Sequence, residues 1–197
     1  NASGSTLMES RQTGMDHDVS NLAAVNFNST FAGIEDAKAV LIVGSQVRWE
    51  APLINVRLRK AVKRGARVFV VGPEWETTYS AEFLGDDASV LGNLPQHVRD
   101  AFDGVENSAV ILGAGGFAAG AHGAAMAVAG SLGATFNALH TAAARMGALM
   151  LGFASKGGIA DLVSAKPKVV LALGADEVNW NQFADSLKVY IGHHGDK

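Results

Sequence analysis

The chain has 197 residues, no cysteine, 48% hydrophobic side chains and a formal net charge of −3. Without a thiol it offers no disulfide, thiolate nucleophile, cysteine-ligated zinc or all-thiolate iron–sulfur cluster. Its near-balanced charge supplies no electrostatic reason to expect nucleic acid or an anionic membrane as partner, while the apolar content suffices for a proper core.

The opening stretch Asn1–Asp18 is polar and lacks the apolar run of a signal peptide. Its Asn-Ala start reads like a tag scar on a piece of a longer protein, so residues 1–27 are expected to be tag scar and polar lead-in. Ala39–Val43 is a wholly apolar run ended by Gly44, the pattern of a strand covered on both faces. Glu50-Ala51-Pro52 then opens a helix, Pro52 suiting its first turn and Glu50 the positive end of its dipole, with an inner stripe of Ile54, Leu58, Ala61, Val62 and Gly65. The remaining face carries Arg57, Arg59, Lys60, Lys63 and Arg64, read as a solvated basic face in preference to a phosphate or partner patch. Arg67–Val71 is the next strand, ended by Gly72-Pro73, and the unit has the length of a crossover between parallel strands.

A weaker region follows, with helices expected near Ala88–Leu91 and Gln96–Phe102. Ser108–Leu112 is the third expected strand, ended by Gly113. Asn107–Ala144 carries no Asp, Glu, Lys or Arg, yet glycines interrupt it too often for a membrane span. It is read as a buried strand followed by helices at Phe117–Leu132 and Ala138–Phe153. A short helix at Gly158–Ser164 precedes two further strands, Val169–Leu173 and Lys188–Ile191, each ended by glycine. Strands separated by helices specify an α/β fold of two Rossmann-like, three-layer halves with mainly parallel sheets. The first half is expected at 28–105. The second, at 106–197, is expected to be truncated at its C-terminus and to hold Ser108–Leu112 with the last two strands.

Ligands of such sheets gather beyond the carboxyl ends of the strands. Gly113-Ala114-Gly115-Gly116-Phe117-Ala118 fits the G-x-G-x-x-[G/A] pattern there, but no acidic residue stands between Glu106 and Asp161 to hold a ribose hydroxyl. A tight turn with close helix packing is therefore preferred to NAD binding. His193-His194-Gly195-Asp196 lacks a third ligand at a telling spacing and is not read as a metal site. His122 and His140 lie in apolar segments and read as satisfied core or interface residues. Ser45 is not in a G-x-S-x-G elbow. No catalytic constellation emerges from the residues.

Particular strings carry a resemblance. Ala32–Ala37, Val43-Gly44-Ser45-Gln46-Val47-Arg48-Trp49-Glu50-Ala51-Pro52 running on to Lys60, Phe83–Asp86, Asn137–His140, Leu173–Asp176 and Tyr190–Asp196 resemble the large iron–sulfur subunit of respiratory complex I (NADH-quinone oxidoreductase). The likeness is to its alphaproteobacterial and mitochondrial versions and runs in order from about Asn28 to the end. It implies the molybdopterin-oxidoreductase-like C-terminal portion of that subunit. The 4Fe-4S and 2Fe-2S clusters are then expected upstream, and no cofactor here. Partners would be the cluster-bearing domain and other peripheral-arm subunits, on the cytoplasmic side of a bacterial inner membrane, with no direct membrane insertion and no nucleic acid.

Catalytic relatives of that fold, such as formate dehydrogenases and nitrate reductases, carry Gly-Ser-Asn-Pro after the first of these strands and Asp-Pro-Arg after the second. Here the loops read Gly44-Ser45-Gln46-Val47 and Gly72-Pro73-Glu74. An acid stands where a base should meet pyrophosphate, so the loops at Gly44, Ser45, Gln46, Gly72, Pro73 and Glu74 read as degenerate, with no catalytic, metal or cofactor-binding residue. The implied function is a non-catalytic scaffold within an electron-carrying subunit. Two readings stand beside it: the dinucleotide-binding part of a molybdenum oxidoreductase, and a free-standing nucleotide-binding domain.

Overall fold

A computed structural model describes residues 4–11 and 19–192. The chain divides into two compact units, Asn21–Ala143 and a second made of Asn1–Ser20 with Ala144–Lys197.

The first unit is built on α1 (Phe31–Asp36), β1 (Ala39–Val43), α2 (Val47–Glu50), α3 (Pro52–Lys63), β2 (Arg67–Val71), β3 (Glu82–Gly85), α4 (Gln96–Phe102), β4 (Ser108–Leu112), α5 (Ala114–Ala118), α6 (His122–Ser131) and β5 (Thr135–Ala138). Its five strands are all parallel, in the order β3-β2-β1-β4-β5. Strand alternation decides the two faces. Leu41, Val43, Phe69, Val71, Val110 and Leu112 pack with Val98 and Phe102 of α4 and Ala125, Val128 and Ala129 of α6. The alternate residues Val40, Ile42, Val68, Val70, Ala109 and Ile111 pack with Ile34 of α1 and Ile54 and Leu58 of α3. Both faces are thus covered, and each large aliphatic chain so buried contributes about 1.5–3 kcal/mol.

This unit corrects the expected division. Ser108–Leu112 pairs with β1 rather than with the last two strands, so a boundary at 105/106 falls inside one sheet. Two strands escaped the pattern. β3 is short and only half-buried, and β5 reads Thr-Phe-Asn-Ala, with no apolar run. Asn137 nevertheless lies fully buried in β5, its amide donating to Thr135 O at 3.0 Å and its oxygen accepting from the Ser29 amide at 2.7 Å. The partnership with Ser29, far away in the chain, is invisible to local patterning. The helix expected over Phe117–Leu132 is broken, because Gly120 takes φ +68° and turns the chain between α5 and α6.

The expected lead-in also proves structural where it is described. Asn26 O accepts from the Ala138 amide, and Phe27 bridges antiparallel to Asn137, so this segment covers the outer edge of β5. His122 Nε2 and His140 Nε2 stand 2.6 Å from the carbonyls of Ala24 and Val25, a geometry in which the rings donate. Phe117 stacks on both rings.

The second unit contains α7 (Arg145–Met150), α8 (Ile159–Ser164), β6 (Val169–Leu173) and β7 (Leu187–Ile191). The two strands are parallel and in register, Val169 opposite Leu187 and Leu173 opposite Ile191. Glu9 and Arg11 form a buried ion pair of 2.7 Å, and Glu9 Oε2 also accepts from the Ser155 amide at 3.0 Å. The helix expected over Ala138–Phe153 is confined to α7, since Ala138 ends a strand and Ala144 takes a left-handed φ of 56°. The His193–Asp196 string lies outside the described residues.

Candidate functional site

In the five-stranded sheet the order reverses between β1 and β4: β2 and β3 follow on one side, β5 on the other. Such a switch point is where open α/β sheets take their ligands, in the crevice between the loops leaving the two strands. The loops here are Gly44-Ser45-Gln46 after β1 and Gly113-Ala114-Gly115-Gly116 after β4, with Gly72-Pro73-Glu74 beside them after β2. The structure therefore brings the loops expected from the sequence together at one end of the sheet.

Their contacts are with each other. Gly44 N–H donates to Val71 O at 2.8 Å, Gly113 N–H to Val43 O at 2.9 Å, and Gly116 N–H to Gly44 O at 3.1 Å. Gly44 takes φ +56°, and a Cβ placed there would lie 2.0 Å from Gly116 N. One placed on Gly113 would meet the Ser45 side chain at 2.3 Å and Glu50 Oε2 at 2.7 Å. The glycines that admit a pyrophosphate in a nucleotide-binding turn here admit the opposing loop.

A residue outside these loops completes the closure. Glu50, at the end of α2, turns its carboxylate into the crevice. Its Oε1 accepts from the Gln46 amide at 2.9 Å, and its Oε2 from the Ala114 amide at 3.0 Å. These are charge-assisted bonds, stronger than neutral ones. Ser45 is 5% exposed, and its Oγ has no hydrogen-bond partner among the described residues. Pro73 and Glu74 are exposed at the rim.

The stretch beyond Glu74 is tied down as well. Arg48 pairs with Glu76 at 3.2 Å, and Asn55 Nδ2 donates to Thr78 Oγ1 at 3.0 Å. Burial raises the Tyr79 hydroxyl above its ordinary pKa, which leaves it no base at neutral pH.

The basic face of α3 is partly committed. Glu35 of α1 receives Arg57, Lys60 at 3.2 Å and Arg64 at 2.6 Å, and Arg64 also meets Asp36 at 3.0 Å. The Arg57 hydrogen bond, with Lys60 and Arg64 beside it, outweighs desolvation and lowers the Glu35 carboxyl to about 2. The sequence signal was the pair Glu35-Asp36 one strand upstream of the basic run. Among the described residues no three His, Asp or Glu side chains are grouped to hold a metal ion, and no helix is long and apolar enough to cross a membrane.

Comparison with known proteins agrees with this architecture. The chain is 34% identical over 193 residues to a protein of Neurospora crassa named NADH-ubiquinone oxidoreductase 78 kDa subunit, mitochondrial, which covers 87% of this chain and 25% of the relative. A Candida albicans protein of the same name is 34% identical over 184 residues, covering 86% and 25%. The Solanum tuberosum NADH dehydrogenase [ubiquinone] iron-sulfur protein 1, mitochondrial, is 33% identical over 185 residues, again covering 86% and 25%. The chain thus spans about a quarter of the length of these curated relatives. The molybdopterin oxidoreductase family matches residues 1–197, and with a parallel α/β sheet carrying its loops at a switch point, the chain belongs to that family.

Proposed function

We propose that this chain is a scaffold portion, without catalysis of its own, of the complex I subunit that passes electrons from NADH towards quinone through iron–sulfur clusters located upstream. In this reading it supports and shields the cluster-bearing domain and neighbouring peripheral-arm subunits, on the cytoplasmic side of a bacterial inner membrane.

The observation that carries the reading is the occupied switch point. The family name implies a pterin dinucleotide, whose phosphates need free donors and room at the loops after β1, β2 and β4. Those donors serve Glu50 and Gly44 O instead, and Gly44 lies against Gly116. Glu74 at the rim adds repulsion to any phosphate. The residues present do not fit the group, so no chemical step is routed through it.

Titration of the chain with NAD, NADP and GTP, together with metal and pterin analysis of the full-length parent, tests the proposal. No saturable nucleotide binding and no stoichiometric molybdenum or pterin are expected. Pterin and molybdenum in the parent would favour a molybdenum oxidoreductase, and tight nucleotide binding by the chain alone a free-standing nucleotide-binding domain.

A further inference from the structure

We propose that the crevice between β1 and β4 is an oxyanion-binding site whose ligand is the protein's own Glu50. The inference deepens the scaffold reading and rests on it, because it supposes that no nucleotide occupies this crevice.

The donor set has a shape. The amides of Gln46 and Ala114 come from loops leaving two different strands, and they converge on one carboxylate, one amide to each oxygen, at 2.9 and 3.0 Å. A third donor stands beside them. Ser45 Oγ and Glu50 Oε2 border the same point next to Gly113, lying 2.6 and 2.7 Å from where a Cβ on that residue would sit. Ser45 is 5% exposed and its hydroxyl is unpartnered among the described residues. Buried hydroxyls are ordinarily satisfied, so an unmet one beside a bound carboxylate signals a site larger than its occupant. Held by one amide on each oxygen, the planar Glu50 carboxylate leaves the Ser45 hydroxyl unmet. A tetrahedral oxyanion spreads four oxygens in three dimensions, enough to meet Gln46, Ala114 and Ser45 together. The chemistry that matches the full donor set is therefore a phosphate-type anion, and Glu50 satisfies two of the three donors while excluding it.

Glu50 is anchored to α2 and cannot dissociate, so it joins the two loops permanently. Removing its side chain vacates the space without touching the three donors. In this chain Glu50→Ala should bind inorganic phosphate about tenfold or more tightly than the unmodified chain, the gain expected from one restored charge-assisted hydrogen bond or more. The Gln46 and Ala114 amide resonances should shift on titration, and the melting temperature should rise with phosphate but not with chloride at equal ionic strength. Adding Ser45→Ala to that variant should weaken phosphate binding again. A folded Glu50→Ala chain whose Gln46 and Ala114 amides ignore phosphate overturns the assignment, and leaves the scaffold reading intact if the unmodified chain still ignores nucleotides. Should Glu50→Ala not fold, the unmodified chain decides. Phosphate shifting its Gln46 and Ala114 amides overturns the assignment, whereas silence there, with both amides protected from hydrogen exchange, supports it. Nucleotide binding by the unmodified chain would instead sink the scaffold reading.

Discussion

Strands β1 and β6 are both five-residue apolar runs closed by a glycine, and they end in opposite environments. Every residue of β1 is at most 1% exposed, whereas Val169, Leu171 and Leu173 of β6 are 53–62% exposed. β1 has a parallel neighbour on each side and helices over both faces. β6 pairs with β7, and no further strand joins them among the described residues. Their register lines up Val169, Leu171 and Leu173 with Leu187, Val189 and Ile191 on one face, all at least 36% exposed. Parallel sheets are stable when both faces are buried, and a two-stranded pair is marginal by itself. An apolar run thus reports a strand's tendency to be covered, while the covering belongs to other parts of the fold.

The largest expected effect lies in the five-stranded sheet. Leu41→Ala removes a side chain packed among β2, β4 and the α4 and α6 helices, and should cost about 2–5 kcal/mol in urea unfolding through lost transfer energy plus the cavity. A cost below about 1 kcal/mol would erase the contrast with β6. Next comes Asn137→Ala, which strips β5 of a buried side chain that serves both its own strand and Ser29. It should cost about 1–3 kcal/mol, because the Ser29 amide is left without its acceptor. Indifference to that change would mean that the segment over the β5 edge is not anchored there.

A smaller effect is expected in acid. Glu35 has its carboxyl lowered from 4.5 to about 2, first by the Arg57 hydrogen bond. A depressed carboxyl contributes stability above its unfolded pKa and loses it as pH falls through the folded value. The first unit should therefore weaken between about pH 4.5 and about pH 2. Glu35→Gln should flatten that acid limb, as followed by denaturation midpoints across the window. An unchanged limb would show that the α1–α3 ion pairs make no pH-dependent contribution. The smallest effect belongs to β6. Leu171→Thr, at a site already 55% exposed, should move stability by only about 0.5 kcal/mol or less. A loss comparable to that of Leu41→Ala would show that the β6–β7 face is covered in the working protein, and would collapse the comparison.

Much of the core was legible because its signal is local. Ala39–Val43, Arg67–Val71, Ser108–Leu112 and the α3 stripe of Ile54 and Leu58 are continuous or periodic in the chain, and the strands lie where the runs are. Less of the site was legible. Gly44, Ser45 and the Gly113–Gly116 turn stood out by composition, but Glu50 read only as a favourable charge near the start of a helix. Its second partner, Ala114, is 64 positions away, and no spacing rule connects them. The same distance problem hid Glu9 and Arg11. They stand in the polar opening stretch with nothing local to mark them, yet Ser155 and their mutual pairing let them be buried.

The sequence by itself determined the strands that are apolar runs, among them β1, β2, β4 and β6, and that helices would cover both faces of a parallel sheet. Those properties follow from apolar runs and glycine stops, readable within a few residues. Only the tertiary structure decided that β4 lies beside β1, that the turn after it closes on Gly44, and that Glu50 holds the amides a ligand would need. Strand order and side-chain partnership are settled by contacts between distant segments, whose free energy depends on three-dimensional proximity and leaves no periodic trace in the chain.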